Sequence, residues 1–286
     1  MTDVAHIIEQ ALGRRCVHTE PLAGGCVGEV YRAQFEDGAH VVAKVDRSGS
    51  PRLDIEGAML RALAGHLTVP DVLHAEPSLL IMEFIDVGGD DGTGPGVQEH
   101  AADCIAALHD VSADAFGFPR DTLIGGLRQP NPWTDRWIDF FREQRLLFMA
   151  REAASAGRLP ADTLGRVERL AGRLDALLPS SEQLGPPSLI HGDLWGGNVL
   201  AGCSRVLGFI DPAVYFAHAE IELAFSTLFG TFGDRFFARY AEHRPLLDGF
   251  FETRRDLYNL YPLLVHVRLF GGGYVGQVES ILRRFT

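Results

Sequence analysis

The sequence predicts an α+β fold with a small β-rich N-lobe, residues 1–85, and a larger, mainly α-helical C-lobe, residues 86–286. Short apolar runs separated by turn residues dominate the first part, whereas apolar residues at helical spacing dominate the second. The Gly- and Asp-rich stretch 86–96 lies between them, and this composition is typical of a linker. We therefore expect two lobes joined by a hinge.

The N-lobe is predicted to contain a β-hairpin, a helix and two further strands. Residues 26–35 and 40–46 flank the turn Glu-Asp-Gly-Ala, and both have the β-branched and aromatic content of strands. The spacing of Ile55 and Met59 indicates a helix after the hairpin. Two short strands in residues 69–85 then complete an antiparallel sheet.

The C-lobe is predicted to be mainly helical. One helix is expected to begin at Pro132, because proline is tolerated in the first turn of a helix. Residues 164–178 form an amphipathic stripe that predicts another. Residues 186–215 interrupt this pattern with short apolar strands bounded by Gly, Asp and Pro, so the irregular part of the lobe lies there.

Composition and charge exclude several function classes. The net charge of −12 argues against binding to nucleic acid or to an anionic membrane, because phosphate contacts need basic surface. The four cysteines are widely spaced, the N-terminus lacks the features of a signal peptide, and no apolar run is long enough to span a membrane. We therefore expect a cytoplasmic protein with no nucleic-acid or membrane partner.

The segment HGDLWGGNVL (191–200) contains the residue pattern of a phosphoryl-transfer site. Asn198 follows Asp193 by five residues, and Asp211 follows at the end of a short apolar strand. In protein-kinase-like enzymes such residues supply the base for the acceptor hydroxyl and two ligands for Mg²⁺. A polar turn would explain His-Gly-Asp alone, but not the whole spacing. We therefore predict an ATP-dependent kinase with Asp193 as catalytic base and with Asn198 and Asp211 as metal ligands.

Lys44 is the only lysine among the 26 Lys and Arg residues. It lies in the apolar run His-Val-Val-Ala-Lys-Val, which resembles the kinase strand whose lysine holds the α- and β-phosphates of ATP. A compact ammonium fits between phosphates and a carboxylate, whereas the planar fork of arginine does not. Glu56, at the start of the next predicted helix, is the expected catalytic partner of this lysine; a solvated helix acid is the alternative.

Residues on both sides of the lysine strand are predicted to bind the nucleotide. Glycines let backbone N–H groups approach phosphates, although an ordinary hairpin turn would also contain them. The apolar run before the linker is expected to present its backbone to adenine. These predicted contacts are Gly24, Gly25, Cys26 and Gly28 in the glycine loop and Met82, Glu83, Phe84 and Ile85 in the hinge run.

Four segments resemble the fructosamine kinase (ketosamine-3-kinase) family, and the resemblance runs over nearly the whole chain, from the segment AGGC to the segment GGGY. They are HGDLWGGN, IDPAVYFAHAEIELA, IGGLRQPNPWTDRWIDFF and LFGGGYVGQ. The resemblance implies a protein-kinase-like, two-lobed fold of the aminoglycoside phosphotransferase type. It also implies transfer of phosphate from ATP, with Mg²⁺, to the third hydroxyl of a ketosamine, which then releases its amine in a deglycation repair. The acceptor would be a small-molecule or protein-bound ketosamine, either a fructosamine or a ribulosamine.

Further residues near the catalytic motif receive roles from this resemblance. Trp195, Tyr215 and His218 are expected to contact the acceptor, because they lie beside the chemistry in sequence. Glu220 and Glu222 are expected to brace the catalytic loop. Many family members have aspartate at the second of these two positions, but we expect glutamate to preserve activity.

Other interpretations stay open at this point. A kinase of the same fold would phosphorylate an aminoglycoside, choline or another small alcohol, and a pseudokinase would only bind nucleotide. A metal-dependent hydrolase would use His109 and His191 with Asp193 and Asp211, but no H-x-x-x-H or H-E-x-x-H motif supports it. An exposed thiol at Cys26 would allow a redox-linked dimer, although a small residue that fits a turn explains this cysteine equally well.

Overall fold

The computed structural model describes residues 3–22, 28–88 and 94–285. The chain divides into two compact units. Unit 1 contains residues 1–97 together with the returning segment 197–213, and unit 2 contains residues 98–196 and 214–286. The segment with Asn198 and Asp211 therefore groups with the N-terminal part of the chain. The functional division into lobes 1–85 and 86–286 stays a prediction.

Unit 1 contains a five-stranded antiparallel sheet with the order β1-β2-β3-β5-β4. The predicted hairpin is confirmed, since β2 and β3 pair with Tyr31 opposite Ala43. Lys44 lies in an inner strand, opposite Val30 on one side and Leu80 on the other. The strands are β1 (Cys16–Pro21), β2 (Glu29–Phe35), β3 (His40–Val45), β4 (Val72–Glu76) and β5 (Leu79–Glu83).

Two helices complete the N-terminal part of unit 1. Helix α1 (Val4–Leu12) is capped by Asp3, whose side chain accepts from the backbone N–H of Ala5, and it packs against the sheet through Ile8. Helix α2 (Leu53–Leu63) has an apolar face that packs in a second cluster of buried side chains on the sheet, separate from the cluster that contains Ile8. Because Glu56 lies in the first turn of α2, its side chain reaches back to β3.

The returning segment of unit 1 forms a second, two-stranded sheet. Strand β9 (Val199–Ala201) pairs antiparallel with β10 (Val206–Phe209). The backbone N–H of Phe209 donates to the carbonyl of Thr68 over 2.8 Å. A Cβ built on Gly208 would lie 2.4 Å from the end of the Ile85 side chain, so a larger residue there would require this side chain to shift. Strand β10 is thus fixed against the N-terminal part of unit 1, and Asp211 follows it after one residue, Ile210.

Unit 2 is mainly helical, with two small antiparallel sheets. Its core contains the fully buried Trp137, which stacks on Phe140 and Phe141 and donates from Nε1 to the hydroxyl of Tyr258. The helices are α3 (Pro95–His109, which begins in unit 1), α4 (Trp137–Phe140), α5 (Phe148–Ser155), α6 (Ala161–Ala171), α7 (Leu174–Leu177), α8 (Ser181–Leu184), α9 (Glu220–Leu228), α10 (Asp234–His243), α11 (Arg255–Phe270) and α12 (Gly273–Phe285). The remaining elements of unit 2 are β6 (Thr122–Ile124), β7 (Leu127–Gln129), β8 (Ser188–Ile190), β11 (Tyr215–Ala217) and the π-helical segments Phe141–Leu147 and Phe250–Arg254. A 3₁₀ turn (Gly196–Asn198) begins at the last residue of the first segment of unit 2 and continues into the returning segment of unit 1.

The expected helix start at Pro132 is wrong. The helix begins at Trp137, because the preceding residues are extended. Thr134 exchanges two backbone hydrogen bonds with Phe116, of 2.8 and 3.0 Å, and this bridge holds the segment outside the helix.

Candidate active site

Lys44 forms the centre of a buried charge cluster in unit 1. Its side chain is only 7% exposed, and Nζ donates to Oε1 of Glu56 over 2.6 Å. Nζ also donates to Oδ1 of Asp211, on the returning segment. Burial alone would lower the pKa of Lys44, but the carboxylates of Glu56 and Asp211 outweigh burial and raise this pKa above its ordinary value. The ammonium is therefore charged at neutral pH, and the expected pairing with Glu56 is present.

Asp211 has an unusual backbone conformation. Its φ of +55° is the only positive φ of a non-glycine residue within 3–22, 28–88 and 94–285. The left-handed region costs an L-residue about 1–2 kcal/mol, and such strain is concentrated at functional sites. Here the conformation turns the chain immediately after β10 and brings the carboxylate to Lys44.

Asn198 is held against the backbone of Asp211. The side chain is buried, and its Nδ2 donates to the backbone carbonyl of Asp211 over 3.5 Å. The backbone carbonyl of Asn198 in turn accepts from the N–H of Ile210 over 3.0 Å. The two predicted metal ligands are therefore neighbours in the structure as well as in the motif.

The donor set fits Mg²⁺ that is bound together with phosphates. Carboxylate and amide oxygens are the ligand types that Mg²⁺ prefers, and nucleotide sites often use only one or two of them. In the described part of the chain, no group of three His, Cys, Asp or Glu side chains could hold a metal ion. A metal at Asn198 and Asp211 would therefore need further oxygens, which bound phosphates would supply.

The His-Gly-Asp turn in unit 2 is anchored by a buried carboxylate. It follows β8, and Gly192 has a φ of +86° that favours glycine. The N–H of Gly192 donates to Oε1 of Glu222 over 2.6 Å, and the N–H of Asp193 donates to Nδ1 of His191 over 3.3 Å. Asp193 itself is half-buried, whereas His191 and Glu222 are fully buried. Glu222 thus braces the turn that presents Asp193.

A chain of two hydrogen bonds continues from Glu222 into the core of unit 2. Its Oε2 lies 2.9 Å from Nε2 of His109, whose Nδ1 lies 2.8 Å from the hydroxyl of Tyr240. Burial alone would raise the pKa of Glu222, but the hydrogen bonds from His109 and Gly192 lower it, so this carboxylate is ionised at neutral pH. His109 and Tyr240 were not predicted in this role, since they lie far from the motif in sequence.

Glu220 does not contact the catalytic turn. It forms a buried, two-pronged ion pair with Arg254, with distances of 2.6 and 2.7 Å. The two members of the acid pair therefore have different functions: Glu222 braces the turn, and Glu220 fixes α9 to the π-helical segment that contains Arg254.

The predicted nucleotide residues in unit 1 are only partly described. Gly24, Gly25 and Cys26 lie outside the described residues. Gly28 has a φ of +72°, and a Cβ there would lie 2.6 Å from the carbonyl oxygen of Val45, so this position requires glycine.

The predicted hinge run contains the end of β5 and the two residues that follow it. Met82 is buried and Glu83 is exposed at the end of β5. Phe84 and Ile85 are half-buried, and the guanidinium of Arg32 lies 4.4 Å from the ring centroid of Phe84. The backbone after β5 leaves the sheet here, and its contact with adenine stays a prediction.

The three predicted acceptor contacts differ in exposure. Trp195 is 41% exposed, whereas Tyr215 and His218 are buried. Tyr215 packs under the buried guanidinium of Arg145, 3.8 Å from its ring centroid. Burial lowers the pKa of His218 to about 3, so its imidazole is neutral. This burial does not favour direct contact of Tyr215 or His218 with an acceptor, and Trp195 alone of the three is available on the surface.

Comparison with known proteins identifies the family of the chain. The model of the fructosamine kinase family matches residues 1–286. The chain belongs to the fructosamine kinase family. A probable ketoamine kinase of Synechocystis sp. is 32% identical over 98% of this chain and 95% of its own length. The chloroplastic protein-ribulosamine 3-kinase of Arabidopsis thaliana is 33% identical over 91% of this chain and 80% of its own length.

Solved structures confirm the fold class of this family member. The crystal structure of a fructosamine-3-kinase candidate from Thermobifida fusca has a TM-score of 0.85 at 33% identity and covers 98% of this chain and 99% of its own. The aminoglycoside phosphotransferase APH(4)-Ia, in complex with ADP and hygromycin B, has a TM-score of 0.70 at 15% identity, with coverage of 99% and 98%. The predicted α+β, protein-kinase-like fold is therefore confirmed.

Every helix within residues 3–22, 28–88 and 94–285 is too short or too polar to cross a bilayer.

Proposed function

We propose that this family member is an ATP-dependent kinase that phosphorylates the third hydroxyl of ketosamines. Relatives that match most of the chain are named ketoamine kinase and protein-ribulosamine 3-kinase, and these names support the acceptor class. The acceptor is a fructosamine or a ribulosamine, either free or attached to a protein. Its phosphorylation destabilises the adduct and releases the amine.

The observation on which the proposal rests is the buried contact of Lys44 with both Glu56 and Asp211. Two carboxylates hold the ammonium in one orientation before ATP binds. The ammonium can therefore contact the α- and β-phosphates without first being reoriented. Asn198 and Asp211 are the protein ligands for Mg²⁺, which when bound neutralises charge on the transferred phosphate.

Asp193 acts on the acceptor. Its carboxylate accepts the proton of the third hydroxyl, while the hydroxyl oxygen forms a bond to the γ-phosphorus of ATP and the bond to the bridging oxygen breaks, releasing ADP. Glu222 and His191 keep the backbone of the turn fixed, so the carboxylate does not have to reorganise during the reaction. The exposed ring of Trp195 contacts the acceptor.

An acceptor panel tests this proposal. ATP and Mg²⁺ are incubated with fructosyl-lysine, ribulosyl-lysine, kanamycin or choline, and ADP release is measured. We expect turnover with the two ketosamines and background rates with kanamycin and choline. Preferred turnover of kanamycin or choline would contradict the acceptor class.

A variant of the base tests the site independently of the acceptor. Asp193→Asn is expected to lose turnover by a factor of about 10² or more, because the proton acceptor is removed. Binding of Mg²⁺-ATP, measured by thermal shift, should persist. Asp114→Asn, at an exposed acid, is the matched control and should retain full turnover. An active Asp193→Asn would refute the assignment of the base.

A further inference from the structure

Five rings, three of them exposed, form an aromatic patch in unit 2. Phe229 follows α9 directly, His266 and Phe270 lie in the last turns of α11, and Tyr274 lies in the first turn of α12. The ring centroid of Phe229 lies 6.2 Å from that of Trp195 and 5.0 Å from that of His266. His266 in turn lies 4.9 Å from Tyr274 and 5.7 Å from Phe270. The aromatic patch is therefore a continuous array that begins in the HGDLW segment.

The exposure of this patch is unusual for rings in such close contact. Eight large hydrophobic side chains are exposed in the described part of the chain, and three of them, Trp195, Phe229 and Phe270, belong to the patch. Their exposed fractions are 41%, 41% and 55%. Single exposed apolar residues need no explanation, but a contiguous exposed cluster usually marks a binding surface.

The aromatic patch lies next to the proposed base. The backbone N–H of Trp195 donates to the backbone carbonyl of Asp193 over 3.1 Å, so the residue that contributes the first ring of the patch belongs to the turn that presents this carboxylate. A group bound at the Trp195 end of the patch is therefore expected close to the acceptor hydroxyl that Asp193 deprotonates.

His266 gives the patch a neutral hydrogen-bond acceptor. Its Nδ1 lies 2.7 Å from the carbonyl oxygen of Pro262, which can only accept, so Nδ1 carries the proton. Burial lowers the pKa of His266, and the ring is neutral at pH 7. The remaining nitrogen, Nε2, is then an acceptor, and it has no hydrogen-bond partner among the described residues.

Resting on the proposed kinase function, we propose that the aromatic patch binds the secondary ammonium through which the sugar of the acceptor is attached. This ammonium is a cation at neutral pH, and it lies only a few bonds from the third hydroxyl. Aromatic faces attract a cation, while the neutral Nε2 of His266 accepts one of its N–H bonds. The patch thereby selects amine-linked sugars over sugars that carry an uncharged substituent at the same carbon.

A pair of matched acceptors tests the proposal. N-propyl-fructosamine carries the ammonium, and 1-O-propyl-fructose replaces it by an uncharged ether of similar size. For the wild-type protein we expect a kcat/KM for the amine acceptor that exceeds the value for the ether by about tenfold or more, as the strength of desolvated cation–π contacts suggests. Phe229→Leu keeps an apolar side chain but removes the aromatic face, so it should reduce this ratio by about threefold to tenfold, mainly through the amine acceptor.

Two further variants make the test independent of one substitution. Tyr274→Leu removes a second face of the aromatic patch and should reduce the ratio in the same direction. Phe251→Leu is the control, because Phe251 is 42% exposed but packs against Phe237 and Phe250, outside the patch. Its ratio should equal that of the wild type. Thermal unfolding of each variant establishes that the proteins compared are folded.

The outcomes separate the two proposals. If the wild-type protein phosphorylates neither acceptor, the proposed kinase function fails and this inference fails with it. If it phosphorylates the amine acceptor but Phe229→Leu and Tyr274→Leu keep the wild-type ratio, the kinase function stands and the ammonium site is refuted. A lowered ratio in both variants, with an unchanged ratio in Phe251→Leu, supports the ammonium site.

Discussion

A double-mutant cycle on Lys44 and Glu56 tests whether the buried charge cluster is one energetic unit. Lys44→Met removes the ammonium and leaves the carboxylates of Glu56 and Asp211 without their shared cation. Breaking a buried ion pair in this way costs about 3–5 kcal/mol. Because the side chains of Glu56 and Asp211 are 13% and 29% exposed, water screens part of the remaining charge, and we expect the lower end, about 3 kcal/mol.

The second single variant is expected to lose less stability. Glu56→Gln keeps the shape of the side chain, and Lys44 retains Asp211, so the expected loss is about 1–2 kcal/mol. In the double variant the lone carboxylate of Asp211 has no close partner charge to repel it, so the two losses should not add. We expect a coupling energy of about 1–2 kcal/mol.

The assay is urea unfolding at 25 °C, followed by fluorescence of the three tryptophans. The same cycle on Arg15 and Glu36, whose side chains are 74% and 57% exposed, is the control and should show no measurable coupling. Strictly additive losses at Lys44 and Glu56 would refute the reasoning that this cluster acts as a unit.

Two further predictions concern the backbone and the pH dependence of stability. Gly28→Ala should lower the free energy of unfolding in urea by about 2–3 kcal/mol, because φ is positive and a Cβ meets the carbonyl of Val45. Gly49→Ala, in open space, should leave the free energy of unfolding nearly unchanged. Equal losses of stability in the two variants would contradict the argument. The pKa of His218 is about 3 in the folded protein and 6.5 in the unfolded chain. Between these two pH values only the unfolded chain binds a proton at this residue. The contribution of His218 to stability is therefore full above pH 6.5 and falls as the pH falls. Between pH 7 and pH 5 the loss from this group should be about 2 kcal/mol, and it should disappear in His218→Gln but persist in the exposed His6→Gln.

The sequence predicts local features of the site well. Short patterns in the sequence indicate the lone lysine, the spacing of Asp193 and Asn198, and the acid in the first turn of the next helix. The structure brings Lys44 to Glu56, since a strand followed closely by a helix leaves little freedom of arrangement. The antiparallel hairpin follows from its turn and its β-branched residues in the same way.

Contacts between distant segments were not accessible from the sequence. No local pattern indicates that His109 and Tyr240 support Glu222 across more than one hundred positions. Arginine side chains usually lie on the surface, so the sequence does not indicate that Arg145 is buried with its guanidinium over the ring of Tyr215. Proximity in sequence therefore did not show that Trp195 is exposed while Tyr215 and His218 are buried, or that a patch of rings begins at Trp195.

The position of the transferred phosphate tests the central claim most directly. The product of ATP and fructosyl-lysine is purified after incubation with the wild-type protein, and its ³¹P–¹H couplings are measured by NMR. The account predicts one phosphate coupled to the proton on the third carbon of the sugar, and no such product with Asp193→Asn. A phosphate on another hydroxyl, or no phosphate on the ketosamine at all, would contradict it.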